Sequence, residues 1–131
     1  MRAINEKIIA ALRSGKGVKK LSCRDFVKVE ENRIEYYLWD NLIFWRNSEN
    51  EYYFTGRGWS SLTTKNRLNA ILHNFLSMYI IQKNYKWILN WNNQNYLINE
   101  TNIYCIKNNK LYKKSFENLS SVIEVLPIES N

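Results

Sequence analysis

The chain consists largely of short segments rich in aromatic and β-branched residues, and these segments are separated by turn-forming residues. Before residue 57 the segments are DFVKVEE, RIEYYLW, NLIFWRN and EYYFTG, and after residue 84 they are YKWILNW, QNYLIN, NIYCIK and KLYKK. The separators consist mainly of Asn, Asp, Glu and Ser, which favour tight turns. Because turns this short join antiparallel neighbours, the pattern predicts two meanders of antiparallel strands.

Between the two meanders the spacing of apolar residues changes from the period of a strand to that of a helix. The apolar stripe comprises Leu68, Ile71, Leu72, Phe75, Leu76 and Tyr79. This spacing predicts an amphipathic helix over about residues 64–80, beginning within three residues of Thr64. We expect the helix to pack across one face of a sheet and to bury Leu68, Leu72 and Phe75.

A second, shorter helix is predicted at the N-terminus. Its apolar positions are Ile4, Ile8, Ala11 and Leu12. Gly15 follows at a position that suits a helix end, so the helix is expected over about residues 3–14. No linker divides the 131 residues, which include four Gly and one Pro. The sequence therefore predicts one α+β domain over residues 1–131, with antiparallel β-meanders, one principal amphipathic helix, a short N-terminal helix and a loose tail at 127–131.

The segment GRGWSSLTTKNRLNA, residues 56–70, is unusual because it combines glycines, a tryptophan, hydroxyl residues and cations where the principal helix begins. A helix N-terminus carries unpaired N–H groups and a partial positive charge, and it therefore attracts anions. The candidate contacts to a phosphate-bearing partner are Arg57, Trp59, Thr63, Thr64, Lys65 and Arg67. Reversing the charge of Lys65 or Arg67 is expected to weaken such binding and to leave the fold intact.

A structural interpretation of the same segment remains open. Thr63 or Thr64 would then be an ordinary N-cap, Trp59 would fill the core, and the cations would be solvated. The two glycines would only allow the backbone to turn from strand to helix.

A basic run, RSGKGVKKLSCR, precedes the first strands and contains no acidic residue. It adds Lys16, Lys19, Lys20 and Arg24 to the candidate contacts. The net charge of +7 and the pI near 9.4 favour acidic partners such as nucleic acid. If the run lies beside the start of the principal helix, the combined surface would bind with an affinity that falls steeply with salt.

Residues that support catalysis or metal binding are sparse. His73 is the one histidine, and no acid or thiol lies near it in sequence. Cys23 and Cys105 match no metal-binding spacing and are expected to be buried free thiols. We therefore expect a protein that is not an enzyme, with no catalytic residue, no metal and no cofactor. No apolar segment has the length of a signal peptide core or a membrane span, so a cytoplasmic protein without membrane contact is expected.

The segment GWSSLTTKNRLNAIL, residues 58–72, resembles a segment of small phage and mobile-element proteins of unassigned function. In these proteins Gly-Trp, a Thr pair, a basic residue and Arg-Leu-Asn-Ala recur. The aromatic segments before residue 58 resemble those proteins only in being an aromatic hairpin ahead of the motif. The C-terminal part of the chain does not contribute to the resemblance. The resemblance implies a phage setting, hence the host cytoplasm, and it carries no catalytic residue. By analogy it favours a regulator or an inhibitor of host defence such as an anti-CRISPR protein.

Two hypotheses about function follow. The first is a small basic phage-type protein that binds nucleic acid or a host nucleoprotein without catalysis. The alternative is a structural or protein-binding phage protein that uses an aromatic sheet face, with dimerisation as one form of it. Four aromatic residues of the strands are expected mainly in the core: Tyr36, Trp39, Trp87 and Trp91. The position of the cations at the helix start relative to the lysine run would separate the two hypotheses.

Overall fold

The computed structural model describes residues 2–129, apart from the side chain of Arg2. Residues 130 and 131 of the predicted loose tail lie outside the described residues. The elements are α1 (Arg2–Ser14), β1 (Gly17–Lys20), β2 (Asp25–Glu30), β3 (Arg33–Leu38), β4 (Asn41–Arg46), β5 (Tyr52–Thr55), α2 (Leu62–Leu76), β6 (Tyr79–Lys83), β7 (Lys86–Trp91), β8 (Gln94–Ile98), β9 (Ile103–Lys107), β10 (Lys110–Lys114) and β11 (Ile123–Glu124). The predicted α+β class, the short N-terminal helix and the principal helix are confirmed.

The strands form two antiparallel sheets. The larger sheet has eight strands in the order β1-β2-β3-β4-β5-β9-β10-β11, and the smaller has the order β6-β7-β8. The second predicted meander is therefore divided between the two sheets. Its first two strands, β7 and β8, belong to the small sheet, whereas β9 and β10 belong to the large sheet, where β9 pairs with β5. In that position β9 is flanked by strands on both sides, and Ile103, Tyr104, Cys105 and Ile106 are all buried.

The helices and the small sheet pack against one face of the large sheet. A row of directly paired residues crosses five of its strands: Val27, Tyr36, Phe44, Phe54 and Tyr104. These side chains belong to the same buried cluster as Ile8 of α1, Leu72 of α2 and Trp87 of β7. Tyr36, Trp87 and Trp91 lie in this core as expected, whereas Trp39 is exposed. Among the residues that the structure describes, no helix combines the length and apolarity needed to cross a bilayer.

The start of α2 agrees with the prediction, and its end does not. The helix begins at Leu62 with Ser61 as its N-cap, so neither Thr63 nor Thr64 is the cap. It ends at Leu76 because Ser77 adopts a left-handed backbone with φ 55°, and the N–H of Met78 then donates to the carbonyl of Leu72. Of the residues predicted as its last turn, Ser77 and Met78 form the link after the helix, and Tyr79 and Ile80 begin β6.

The apolar stripe of α2 is buried for most of its length. Leu68, Ile71 and Leu72 are fully buried, as expected. Phe75 is only partly buried, and its ring lies 5.7 Å from the ring of Phe44. The expected burial of Phe75 therefore holds only in part, since the ring reaches the edge of the core.

Candidate functional site

Strand register brings several loops together at one end of the large sheet. Asp25 pairs with Leu38, Thr55 pairs with Ile103, and Ile103 pairs with Lys114. The start of β2, the β3–β4 turn, the segment after β5 and the end of β10 consequently lie side by side. We call this region the tryptophan end, defined by the loops that carry Trp39 and Trp59.

Trp39 occupies an unusual position in a tight turn. Trp39 and Asp40 have φ values of 49° and 65°, the combination that a type I′ hairpin turn requires. Three other turns with two positive φ values begin with asparagine, at Asn84, Asn92 and Asn108. Asparagine and glycine tolerate this backbone, whereas bulky residues rarely adopt it. The Trp39 side chain is nevertheless 59% exposed, so the turn presents an indole ring to solvent.

Trp59 follows a second tight turn, which the two glycines make possible. A Cβ atom on Gly56 would lie 2.8 Å from the carbonyl oxygen of Glu100, and Gly58 has a φ of 83°. The N–H of Gly58 donates to the same Glu100 oxygen at 2.7 Å, and the N–H of Trp59 donates to Gly56 at 2.9 Å. Trp59 is 61% exposed, so the interpretation that it fills the core is wrong. The glycines themselves have a structural explanation.

A cleft of about 510 Å³ lies between the two tryptophans and the start of α2. The buried side chains of Leu38 and Ile43 contribute its apolar floor, and Trp39 and Trp59 are among its lining residues. The hydroxyl residues that line it are Ser61, Thr63 and Thr64. The cleft therefore combines aromatic and apolar surface with hydroxyl groups and the positive end of a helix dipole.

The hydroxyl groups at the start of α2 mainly stabilise the helix. Ser61 accepts a hydrogen bond from the backbone N–H of Thr64 at 3.2 Å, and the two side-chain oxygens lie 2.9 Å apart. Thr64 is buried, whereas Thr63 is partly exposed. Of the two predicted threonine contacts, Thr63 is the more accessible to a ligand.

Arg67 lies in the core, and its expected surface position is wrong. Only 1% of the residue is exposed, and its Nε donates to Oδ1 of Asp25 at 2.8 Å while Nη2 donates to Oδ2 at 3.2 Å. Asp25 also accepts hydrogen bonds from the hydroxyl of Tyr36 and, at 2.7 Å, from the hydroxyl of Ser22. The guanidinium therefore joins α2 to β2 and β3 from within the protein.

The charges of this buried network are held in place by its hydrogen bonds. Burial by itself would raise the pKa of Asp25, but hydrogen bonds from Arg67, Ser22 and Tyr36 and the charge of Arg67 lower it below its ordinary value. Burial disfavours the charged guanidinium, yet Asp25 raises the pKa of Arg67. Burial and the bond to Asp25 raise the pKa of Tyr36. The network thus keeps a carboxylate and a guanidinium ionised in the core.

Three of the predicted cations lie at the tryptophan end. Lys20 is the last residue of β1 and is exposed. Arg24 lies next to the β3–β4 turn, because its backbone oxygen accepts a hydrogen bond from the N–H of Trp39 at 2.9 Å. Arg57 is exposed, and its guanidinium lies 4.9 Å from the centre of the Phe116 ring, which orients it by a cation–π contact.

The other predicted cations are directed elsewhere. Lys16 shares a groove with Glu30 and Glu31 at the opposite end of the large sheet. Lys19 lines a groove between α1 and β1, which Lys20 also lines from the end of its strand. Lys65 donates from Nζ to the side-chain oxygen of Gln82 on β6 at 3.2 Å. The structure therefore places three of the predicted cations at the tryptophan end, three others away from it, and Arg67 in the core.

A second aromatic surface, absent from the sequence-based site, lies on the face of the large sheet opposite the core. We call it the outer face; its aromatic residues are Phe26, Tyr37, Trp45, Tyr53 and Tyr112, all partly exposed. Trp45 stacks on Tyr53 with ring centres 5.0 Å apart, and Lys114 lies 5.2 Å from the Tyr53 ring. The alternation of side chains along β3 and β4 indicates that each strand has two different faces. It does not indicate which of the two faces the helices cover.

Groups for catalysis or metal binding are scattered in the part of the chain that the structure describes. No three His, Cys, Asp or Glu residues there are close enough to hold a metal ion together. Cys105 is buried and Cys23 is exposed, both as free thiols, so the expected burial of two thiols holds for one of them. His73 is exposed on α2.

A sequence model of the family described as Kyanoviridae Gp96 protein matches residues 1–120. The matched region includes both helices, the strands from β1 to β10 and all the loops of the tryptophan end. No curated protein and no solved structure matches the chain.

Proposed function

The chain belongs to the Kyanoviridae Gp96 protein family, a family of phage proteins, and we propose that it binds nucleic acid at the tryptophan end without catalysing a reaction. One observation carries this proposal. Trp39 and Trp59 are each more than half exposed and line the same cleft. Single exposed apolar residues are common on protein surfaces, but two indoles converging on one concavity are a typical feature of binding sites.

Charge supports the same partner. The chain has 19 Lys and Arg residues against 12 Asp and Glu residues. Lys20, Arg24 and Arg57 lie at the same end of the large sheet as the cleft. Cations bind phosphates with the release of counterions, and tryptophan rings stack on bases. The tryptophan end offers both kinds of contact within one region.

Reversing the charge of Arg57 is expected to weaken nucleic-acid binding and to reduce its salt dependence. Removing one phosphate contact should flatten the slope of log affinity against log salt by about 0.7 for a single strand or about 0.9 for duplex DNA. Arg57→Glu should preserve the fold because the residue is exposed. The measurement is a binding titration at several salt concentrations, with thermal melts of the same samples.

Lys16→Glu is the matched control, because it makes the same charge change at the opposite end of the large sheet. We expect it to leave the slope close to that of the wild type. Equal effects of the two variants would show that binding follows net charge alone. A wild-type protein that does not bind nucleic acid at low salt would overturn the proposal.

Gel analysis of the titrated DNA and RNA should show no cleavage, and cleavage by the purified protein would contradict a non-catalytic role.

A more specific form of this proposal is that the acidic partner is a host nucleoprotein, for example a defence complex inhibited as anti-CRISPR proteins inhibit theirs. Membership of a phage family and a small, basic chain support it by analogy. A defence complex whose activity falls on addition of the wild type, but not of Arg57→Glu, would support this form.

The second candidate function is protein binding through the outer face. The observation that favours it is the set of partly exposed aromatic residues on one side of the sheet, including the stacked pair Trp45 and Tyr53. If two copies pair through this face, sedimentation should detect a dimer that Trp45→Lys converts into a monomer. A wild-type monomer whose nucleic-acid binding is unaffected by Trp45→Lys would count against this candidate.

A further inference from the structure

We infer that the cleft at the tryptophan end receives one unpaired nucleobase, which makes single-stranded nucleic acid the ligand. This inference rests on the proposed function and adds the form of the nucleic acid. The cleft volume of about 510 Å³ lies within the range of small-molecule sites. A base has two flat aromatic faces and a polar edge, and the cleft offers indole rings together with hydroxyl groups.

The placement of Trp39 is the first argument. Neither turn chemistry nor core packing accounts for a tryptophan at this position. Its φ of 49° favours glycine or asparagine. The first residue of the three other turns of this kind is an asparagine: Asn84, Asn92 and Asn108. Its side chain is also mostly exposed, so little apolar burial offsets the unfavourable backbone. Residues held in such conformations concentrate at functional sites, where the side chain is needed in one place.

The geometry of stacking is the second argument. In a duplex the faces of each base are covered by the neighbouring base pairs, so an indole ring reaches them only after a base is unpaired or turned outward. Trp39 and Trp59 project from two separate turns and line the same concavity. An arrangement of this kind suits a base that enters the cleft from a single strand.

The charge around the cleft is the third argument, and it favours a nucleic acid over an aromatic side chain of a protein. The cations of the tryptophan end are Lys20, Arg24, Arg57 and, at the end of β10, Lys114, and the unburied acids of its loops are Asp40, Glu100 and Glu117. Phosphates on either side of the inserted base would meet this positive excess. Thr63 lines the cleft and is partly exposed, so its hydroxyl is the group that we assign to the polar edge of the base.

The test is the variant Trp39→Asn, which removes the ring and installs the residue found at the other three turns. We expect it to fold with a melting temperature equal to or above that of the wild type, because asparagine tolerates positive φ. Its affinity for a short oligothymidine should fall roughly 5- to 150-fold, the effect of losing one stacked base. Trp59→Ala should weaken binding by a similar factor.

The matched control is Tyr85→Asn, because Tyr85 is 95% exposed, has a φ of 64° and lies in the small sheet's first turn. This variant should bind oligothymidine as the wild type does. The wild type should also bind an abasic oligonucleotide of equal length and charge about as weakly as Trp39→Asn binds oligothymidine.

Three outcomes separate this inference from the proposed function. If Trp39→Asn binds oligothymidine normally while Arg57→Glu does not, the base-binding cleft is wrong and nucleic-acid binding stands. Duplex DNA that binds as tightly as the single strand, with the same sensitivity to Trp39→Asn, would also overturn the inference. A wild-type protein that binds neither form at low salt would overturn both.

Discussion

Replacing Arg67 with methionine is expected to lower the free energy of unfolding by about 3 to 5 kcal/mol, the usual effect of removing one partner from a buried ion pair. The substitution leaves Asp25 buried with only the hydroxyls of Ser22 and Tyr36 among its described side-chain donors. Urea unfolding followed by tryptophan fluorescence measures the loss. Lys65→Met is the control on the same helix, and it should change stability by no more than about 0.5 kcal/mol because Lys65 is partly exposed.

The double variant Asp25→Asn/Arg67→Met tests the cause of this loss. Removing both charges also removes the desolvation cost of each, so much of the lost stability should return. A double variant as unstable as Arg67→Met would show that the shape of the guanidinium, and not the unpaired carboxylate, is responsible. Because Arg67 is buried, the expectation that charge reversal at this position leaves the fold intact is wrong; Arg67→Glu would place two carboxylates together in the core.

The effect of Arg67→Met should depend on pH, with a sign fixed by Asp25. In the wild type the pKa of Asp25 is lowered, so its ionisation contributes stability above the ordinary pKa of about 4, and this contribution is lost as the pH falls. The variant lacks the hydrogen bonds and the charge of the guanidinium, so burial should raise the pKa of Asp25 above its unfolded value, opposed only by the hydroxyls of Ser22 and Tyr36. That penalty is absent at low pH and grows as the pH rises. The difference between the two proteins should therefore shrink on acidification below about pH 5.

The sequence contains a signal for the burial of both partners, which the surface position expected for Arg67 did not take into account, but it contains no signal for their pairing. Arg67 lies on the same helical face as Leu68 and Ile71, and Asp25 alternates with Val27 on the inner side of β2. Periodicity therefore indicates that each charged residue points inward. The contact joins residues 42 positions apart, and the local pattern contains no information on how α2 crosses β2.

Local sequence patterns were also insufficient to predict the end of α2, the strand order of the sheets and the cleft. The end of α2 was missed because Met78, Tyr79, Ile80 and Ile81 continue an apolar run, and the stop is a serine in a left-handed conformation. The return of β9 to the large sheet depends on long-range pairing. At the β3–β4 hairpin the turn consists of Trp39 and Asp40, although Trp39 was expected in the core as a strand residue. A shift of one residue at such a turn moves a side chain from the core to solvent.

Replacing Phe44 with alanine is expected to lower the free energy of unfolding by about 3 to 5 kcal/mol. Phe44 is completely buried in the row that crosses the large sheet, and its ring lies 5.7 Å from Phe75 and 6.2 Å from Tyr52. Alanine would leave a cavity between α2 and the sheet that these rings could fill only in part. The measurement is the denaturation midpoint at an unchanged dependence on denaturant.

Phe75→Ala is the matched comparison, because it removes an equal ring from the other side of the same contact. Phe75 is partly exposed and lies 5.3 Å from the guanidinium of Arg13, so its removal returns less surface to water and opens the site to solvent instead of forming a closed cavity. The loss should be clearly smaller than that of Phe44→Ala. Equal losses would mean that Phe75 is enclosed in solution, and that α2 packs more deeply on the large sheet than its partly exposed ring indicates.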